Sequence, residues 1–323
     1  MQRRGRRNGA ATVLLRGIRM DAFITSLPGA AAQGIIWGIM AIGVYITYKI
    51  LDVADLTVDG SFGTGGAVMV VCMTSGMNIW LSMLVAFLAG CLAGLLTGIL
   101  HTKFGIPAIL AGILTQLALY SVNLRIMSGM ANMPLSVMKY NLLLSLRKIP
   151  KSILVAGIFV VVLIALLYWF FGTELGHSLR ATGCNQAMAR ANGINTERNK
   201  ILGLILSNGI VALAGSLITQ YQGFADINMG RGAIVIGLAA VIIGEVVFGK
   251  IFKNFALRLF GVVCGGVIYY VVITLVLSLG LNANDMKLFS ALVVAVFLGI
   301  PYWKKQLQQK NLGRKGEAND AGN

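Results

Sequence analysis

The chain has 323 residues, of which 57% are hydrophobic and only 12% are charged. A soluble domain carries roughly a quarter of its residues as charged side chains, so this composition excludes an ordinary soluble protein. Disordered, collagen-like and disulfide-stapled chains are also excluded, because the polar tracts are confined to the two ends and the four cysteines are scattered singly.

The net charge of +16 comes from 27 Lys and Arg residues against 11 Asp and Glu residues. In a soluble protein this excess would suggest a nucleic-acid partner. Here the basic residues stand between apolar runs without interleaved aromatic residues, so we expect no nucleic-acid binding. The positive-inside rule predicts that these basic segments and the C-terminus face the cytoplasm, in a multi-pass protein of the cell (plasma or inner) membrane.

The N-terminal arm, residues 1–22, is basic and lacks an apolar core long enough for a signal peptide. Met20 is followed by Asp21 and then by an apolar run, which is typical of a natural start of translation. Two interpretations follow: either translation begins at Met20, or the arm is a basic cytoplasmic segment.

Hydropathy predicts a transmembrane domain over residues 23–303, followed by a polar basic cytoplasmic tail at 304–323. The predicted spans are residues 27–48, 62–74, 79–100, 106–127, 153–171, 201–219, 233–248, 256–279 and 288–303. Most are long enough to cross a bilayer as a helix. The fold class is therefore all-α, a polytopic membrane bundle with about 8–10 transmembrane helices.

An odd number of crossings places the two termini on opposite sides of the membrane. Six arginines in the N-terminal arm argue against an external position. Two topologies therefore remain open: an odd number of crossings in a chain that begins at Met20, or an even number in which residues 51–74 only re-enter the membrane.

An internal repeat bears on this choice. The apolar run ending at Tyr48 leads into residues 54–57, the run ending at Thr219 leads into residues 225–228, and a glycine-rich apolar segment follows each. Two copies separated by an odd number of spans have opposite orientations, so the halves 28–171 and 201–303 form an inverted repeat with broken half-helices, which is a transporter architecture. Chance is the alternative explanation for so short a match.

Small residues spaced four apart predict close helix packing in lipid. They form three motifs, Gly34/Gly38, Gly90/Gly94/Gly98 and Gly261/Gly265. Packing inside one chain explains them without a dimer.

Acidic residues among the apolar spans are a sharper signal, because a buried carboxylate at membrane depth is costly unless it is paired, hydrated or functional. On a helix, Asp52, Asp55 and Asp59 would share one face, and Asp226 takes the matching place in the second half. These acids either cap half-helices that begin inside the membrane or line a substrate path. The candidate residues for the path or its gate are Asp52, Asp55, Thr57, Asp59, Asp226 and Asn228.

Catalytic constellations are missing from the sequence. With His101 and His177 as the only histidines, neither a histidine-based metal site nor a Ser/His/Asp triad has enough residues. Residues 244–251 approach the phosphate-loop pattern, but Ile251 offers no hydroxyl to magnesium. We therefore expect no catalytic residue, metal site or bound cofactor on this chain, and the lack of a catalytic set argues against an enzyme.

The basic loop, residues 172–200, is the most informative segment. Asn185 can cap a short amphipathic helix that runs to Ala191 and stops at Gly193, and Asn195 or Thr196 can cap the next span. A compact helix with small residues on one side and arginines on the other suits docking into a groove of a partner. A purely structural linker is the alternative.

This loop resembles the cytoplasmic coupling loop of ABC importer permeases in the branched-chain amino acid and ribose permease family. The residues that carry the resemblance are Leu179, Arg180, Gly183, Ala189, Arg190, Gly193, Ile194 and Asn195. The similarity extends over about residues 28–301. Residues 50–60 and 105–116 are most similar to permeases paired with a binding lipoprotein, some of them linked to tryptophan or tyrosine.

The resemblance implies the transmembrane permease subunit of a binding-protein-dependent importer for a small solute, such as an aromatic or branched-chain amino acid. The implied partners are an ABC ATPase subunit that holds ATP and Mg²⁺, an extracytoplasmic substrate-binding lipoprotein and a second permease subunit, most simply as a homodimer. Arg180 and Arg190 would then hold the ATPase. An ion-coupled secondary transporter, using the same acids as ion sites, is the alternative hypothesis.

Overall fold

The computed structural model describes residues 2–278 together with 288, 291, 292, 294–297, 299 and 306, and describes the side chains from residue 24 onward. The predicted span 288–303 and the tail 304–323 lie largely outside the described residues.

The described chain is almost entirely helical, which confirms the predicted all-α bundle. Its long helices are α1 (Gln2–Tyr45), α2 (Thr57–Thr74), α3 (Ile79–Thr102), α4 (Ala108–Ile126), α5 (Ile149–Phe171), α8 (Thr196–Gln222), α9 (Ala233–Phe248) and α10 (Phe255–Ser278). The shorter elements are the π-helical turn Ile46–Ile50, strand β1 (Asn132–Pro134), the 3₁₀ turn Leu146–Lys148, α6 (Glu174–Cys184), α7 (Gln186–Ala191) and strand β2 (Phe224–Asp226).

Within the described residues, six helical segments are long and apolar enough to cross a membrane. They are Ile24–Ile50, Ile79–Thr102, Ala108–Ile126, Leu146–Phe171, Thr196–Gln222 and Phe255–Ser278. Helices α2 and α9 complete the bundle as half-helices. Each follows a break in the helical structure, residues 51–56 before α2 and residues 223–232 before α9. The prediction that the second span starts at residue 62 was wrong, because α2 already begins at Thr57.

Helices α1 and α8 form an antiparallel pair at the centre of the bundle. The Tyr221 hydroxyl donates to the Gly29 carbonyl near one end, and the Ser207 hydroxyl donates to the Gly43 carbonyl nearer the middle. In the most apolar stretches of α1 and α8, 78% and 72% of the residues are buried, against 17% in α5. Helices α3, α4 and α5 therefore form the periphery, and their exposed leucines and valines suit contact with lipid.

The two ends of the bundle differ. At the sheet end, β1 pairs antiparallel with β2, and Asn132 lies opposite Asp226. At the basic-loop end, α6 packs against the π-helical turn, where Gly183 contacts the Ile50 carbonyl.

The course of residues 51–74 bears on the two predicted topologies. This segment starts beside Gly183 at the basic-loop end and reaches Met69, whose sulfur contacts the Gln220 amide near the sheet end. It therefore traverses the bundle, which favours a crossing over a re-entrant segment. Because Gly29, near the start of the first span, accepts a bond from Tyr221, the N-terminal end of this span and the basic loop lie at opposite ends.

The helix pairing agrees with the predicted inverted repeat. In the repeat, α1, α2 and α3 of the first half correspond to α8, α9 and α10 of the second half. The contact between α1 and α10 then corresponds to that between α8 and α3, and the contact between α1 and α9 corresponds to that between α8 and α2. The contact between α2 and α3 corresponds to that between α9 and α10. Each of these pairs is in contact in the structure. The antiparallel directions of α1 and α8 supply the inversion.

The glycine motifs pack within the chain, as predicted. A Cβ at Gly34 would lie 2.6 Å from the Cα of Val267, and Gly94 faces the Leu204 carbonyl on α8. Gly265 faces the Ala240 carbonyl in the same way. These close approaches account for all three motifs without a second chain.

Candidate functional site

The first break, residues 51–56, separates the π-helical turn from α2 and is organised by Asp55. Its Oδ1 accepts a hydrogen bond of 2.9 Å from the Thr57 backbone N–H, which caps α2. Its Oδ2 accepts a 2.7 Å bond from Nδ2 of Asn208 in the middle of α8. Asp55 is only 2% exposed, so the carboxyl group ties the break to the centre of the second half.

A chain of buried hydroxyl groups extends from this cap across three helices. The Thr57 and Thr97 hydroxyls are 2.7 Å apart, and Thr97 donates to Thr115 at 2.9 Å. On the other side, the Ser61 hydroxyl donates to Oδ1 of Asn208 at 2.5 Å. All these side chains are buried and hydrogen-bonded, so this network forms a closed polar core rather than an open path.

Asp52 lies apart from this network. It is exposed and has a backbone φ of 54°. The prediction that Asp52, Asp55 and Asp59 share a helix face was wrong, because residues 51–56 are not helical. The three acids therefore lie in three different environments.

The second break, residues 223–232, joins α8 to α9 and contains β2. Oδ1 of Asp226 accepts a 2.7 Å bond from the Asn228 backbone N–H, which closes a local turn. Gly223 and Gly232 have φ of 81° and 84°, values that favour glycine. Asp226 is half-buried and Asn228 is exposed, so this break is more open than the first.

Asp59 connects the two breaks. Its two carboxylate oxygens accept 2.9 Å bonds from the backbone N–H groups of Gly232 and Ile234 at the start of α9. Acids do bind the N-termini of both half-helices, but not the acids that the sequence indicated. Asp55 binds the first N–H of α2, and Asp59, which lies inside α2, binds N–H groups at the start of α9. The predicted caps at Asp59 for its own helix and at Asp226 were wrong, because α2 begins at Thr57 and Asp226 closes only a local turn.

An aromatic cavity of about 440 Å³ lies between the second break and helices α1, α9 and α10. Its wall includes Gln33, Trp37, Arg231, Tyr269 and Tyr270, and Asn228 lies at the same cavity. Of the predicted path residues, only Asn228 lines it. The others could not be predicted from the sequence, since they come from three separate helices and a loop, and no local pattern unites them.

The basic loop folds as the cap residues predict. Asn185 accepts a 3.1 Å bond from the Met188 N–H and caps α7, and Gly193 has a φ of 76° after the helix end. Asn195 accepts a 3.1 Å bond from the Arg198 N–H and caps α8. Both predicted short-range caps are therefore confirmed.

Several of the loop residues singled out in the sequence face the bundle. Leu179 and Ala189 are fully buried, and a side chain at Gly183 would overlap the Ile50 carbonyl. The Arg180 guanidinium lies 4.3 Å from the centre of the Phe255 ring, and Nε of Arg190 donates to the Thr196 hydroxyl at 2.9 Å. Both arginines thus have partners within the chain.

Positive charge concentrates in a second cavity, of about 670 Å³, at the basic-loop end. Its cationic lining residues are Lys49, Arg180, Lys253 and Arg258. Among the described residues one salt bridge is formed, between Lys49 and Glu245 at 3.1 Å. This end is therefore strongly cationic.

The sequence profile of the family described as "Branched-chain amino acid transport system / permease component" matches residues 26–301, which is nearly the whole of the described bundle and its continuation. The chain belongs to this permease family. The resemblance drawn from the basic loop is thereby confirmed, and the chain is a multi-pass transport permease of the ABC type.

Relatives of this permease are named for different solutes. A tyrosine transport system permease protein of Clostridioides difficile is 43% identical over 86% of this chain and 92% of its own length. An uncharacterised protein of Rickettsia prowazekii is 34% identical over 86% and 97%. A fructose import permease protein of Bifidobacterium longum is 27% identical over 81% and 73%.

Proposed function

We propose that this permease is the membrane subunit of a binding-protein-dependent ABC importer that carries an amino acid, aromatic or branched-chain, with energy from a separate ATPase. The tyrosine transport permease that is 43% identical supports the solute class. The single observation that carries the coupling is structural: α6 lies directly against the turn that precedes the first break, at Gly183 and Ile50.

In this proposal the basic-loop end faces the cytoplasm. The cluster of Lys49, Arg180, Lys253 and Arg258 at that end supports the orientation, because basic residues accumulate on the cytoplasmic side. The sheet end and the start of the first span then face outward. A substrate-binding lipoprotein would deliver the solute to the sheet end, and two permease subunits would form a homodimer.

Motion of α6 and α7 would reach both halves of the repeat through fixed contacts. Gly183 leaves no room between α6 and the Ile50 carbonyl, so a displaced α6 pushes the π-helical turn. Asp55 then transmits the displacement to Asn208 on α8, and Asp59 transmits it to the start of α9. A rocking of the two halves, as alternating access requires, follows from these links.

The surface offered to the ATPase would be the outer side of α7. Met188 is 51% exposed, and Ala187 and Ala191 beside it are also exposed, whereas Ala189 faces inward. Arg180, which the resemblance assigns to ATPase contact, is engaged with Phe255 instead. We therefore assign docking to these small and apolar residues of α7 rather than to Arg180.

The test is co-purification of the tagged permease from gently solubilised membranes, with mass spectrometry and ATPase activity of the eluate. We expect an ABC ATPase and a binding lipoprotein to co-purify. A permease that emerges alone and without ATPase activity, in more than one detergent, contradicts the proposal.

A matched pair of variants sharpens this test. Met188→Glu places a charge on the outer side of α7 and should abolish ATPase association and uptake. Met138→Glu makes the same change at a more exposed methionine, 82% exposed, at the opposite end of the bundle and should leave ATPase association unchanged. Uptake that collapses with an uncoupler while ATP remains high would instead favour an ion-coupled transporter.

A further inference from the structure

The aromatic cavity has the dimensions and the wall of a small-molecule site. Its volume of about 440 Å³ falls within the roughly 300–1,000 Å³ typical of ligand pockets. Its base is buried and aromatic, with Trp37 and Tyr270 at 7% and 9% exposure, whereas Asn228 and Arg231 at its rim are exposed. A ligand with an apolar body and a polar end fits a cavity whose base is aromatic and whose rim is polar.

Trp37 at the base has an unused hydrogen-bond donor. Its indole Nε1 is buried and has no partner among the described residues. The ring is held in place by stacking on Phe62, with ring centres 4.8 Å apart, and by Tyr270 at 5.9 Å. Since buried polar groups are nearly always hydrogen-bonded, this donor indicates an acceptor supplied by something bound in the cavity.

Arg231 at the rim provides the positive charge. No hydrogen bond or ion pair of its guanidinium group is seen with any described residue. The neighbouring carboxylate of Asp59 has both oxygens engaged by the N–H groups of Gly232 and Ile234. Arg231 is therefore available for an external carboxylate, which guanidinium groups bind strongly.

We propose that this cavity binds an aromatic amino acid with a hydroxyl on its ring, with Arg231 on the carboxylate and the Trp37 indole N–H donating to the ring hydroxyl. The tyrosine rings of residues 269 and 270 pack beside the ligand ring. The proposal rests on the proposed function for the amino-acid class alone, because the cavity belongs to the permease and needs neither ATP nor the ATPase to bind.

The test is saturable binding of radiolabelled L-tyrosine to the purified full-length permease in lipid nanodiscs, with unlabelled competitors. We expect L-phenylalanine, which lacks the ring hydroxyl, and tyramine, which lacks the carboxylate, to compete less well than L-tyrosine. Arg231→Gln should weaken L-tyrosine binding by about tenfold to a hundredfold and remove the disadvantage of tyramine. Trp37→Phe should weaken it by about threefold to tenfold and remove the disadvantage of L-phenylalanine.

Two controls make the same changes elsewhere. Arg125→Gln removes an exposed charge at the end of α4, and Trp80→Phe alters a tryptophan that is 58% exposed on α3, both outside the cavity. Both should bind L-tyrosine as the parent chain does. Each competitor separates one contact from the other, so a general loss of folding does not mimic the expected pattern.

The proposal is overturned if the parent permease shows no saturable L-tyrosine binding up to the solubility limit. It is also overturned if Arg231→Gln and Trp37→Phe bind with the affinity and competitor preferences of their controls. Its failure is distinct from failure of the importer function. Loss of the cavity leaves the ATPase association intact, and absence of an ATPase leaves nanodisc binding intact.

Discussion

The two breaks of the repeat hold their acidic residues in different environments. In the first, Asp55 is buried and its oxygens reach Thr57 N and the Asn208 amide, inside a closed network of hydroxyl groups. In the second, Asp226 is half-buried and closes only a local turn, and the capping carboxylate for α9 comes from Asp59. The acid that organises the first break is buried in the core, whereas the second break lies beside an open cavity.

This difference separates stabilising acids from those placed near a binding surface. The buried polar groups at the first break, Asp55 and the hydroxyl groups and amide linked to it, are hydrogen-bonded to one another, so they hold α2, α3, α4 and α8 together. The second break leaves Asn228 and Arg231 exposed at the aromatic cavity. In our proposal, the solute contacts therefore lie at the second break and not at the first.

The largest effect on stability should come from the first break. Asp55→Ala removes the cap of α2 and leaves a buried donor of Asn208 unpaired, which should lower the free energy of unfolding by about 3 kcal/mol. The midpoint of thermal unfolding of the purified permease measures it. Asp52→Asn, at an exposed position with a conformation that asparagine tolerates, should change stability by less than about 0.5 kcal/mol. Equal shifts for both variants would contradict the contrast between these acids.

A second prediction concerns the contact between the second break and the first turn of α2. A Cβ at Gly230 would overlap the Asp59 carbonyl oxygen, so Gly230→Ala should destabilise the permease by about 2 kcal/mol by forcing this break away from α2. Gly157→Ala on α5 meets nothing within 4 Å and should be neutral or slightly stabilising. Thermal midpoints compare the two, and a tolerated Gly230→Ala would show that this approach can relax.

Asp59→Ala should have an intermediate effect, about 1–2 kcal/mol, because it removes a cap from two N–H groups of α9. Hydrogen exchange followed by mass spectrometry should show faster exchange at the start of α9, and little change at α2. Asp59→Asn retains one acceptor oxygen and should show a smaller increase. Faster exchange across the whole bundle would instead indicate global destabilisation.

The smallest effect belongs to Asp226. Its side chain bonds one N–H group, that of Asn228, from a half-buried position, so Asp226→Ala should cost less than about 1 kcal/mol. Increased exchange should be confined to residues 223–232. An effect as large as that of Asp55→Ala would mean that the second break is as firmly sealed as the first.

Local features could be predicted from the sequence with good accuracy. The ends of α9 matched the predicted span 233–248, and Asn185 and Asn195 cap the helices they were expected to cap. Such signals act over three or four residues, so they need no knowledge of the rest of the fold. The shared face predicted for Asp52, Asp55 and Asp59 failed, because spacing alone does not show whether the helix continues.

Long-range partners could not be predicted in the same way. Asp55 meets a residue 153 positions away, and Asp59 meets residues 173 and 175 positions away. Arg180, expected to face a partner, also lies over Phe255 on another helix, a contact that no local pattern predicts. The aromatic cavity combines α1, α9 and α10, none of which shows a binding pattern of its own.

The sequence by itself determined that this is a membrane-embedded helical permease, where its spans are broken and how its basic loop folds, because hydropathy and capping act locally along the chain. Only the tertiary structure decided that residues 51–74 traverse the bundle, which acid caps which half-helix and where an open cavity remains. These features depend on contacts between distant segments, and such contacts exist only once the antiparallel pair α1 and α8 has brought the two halves together.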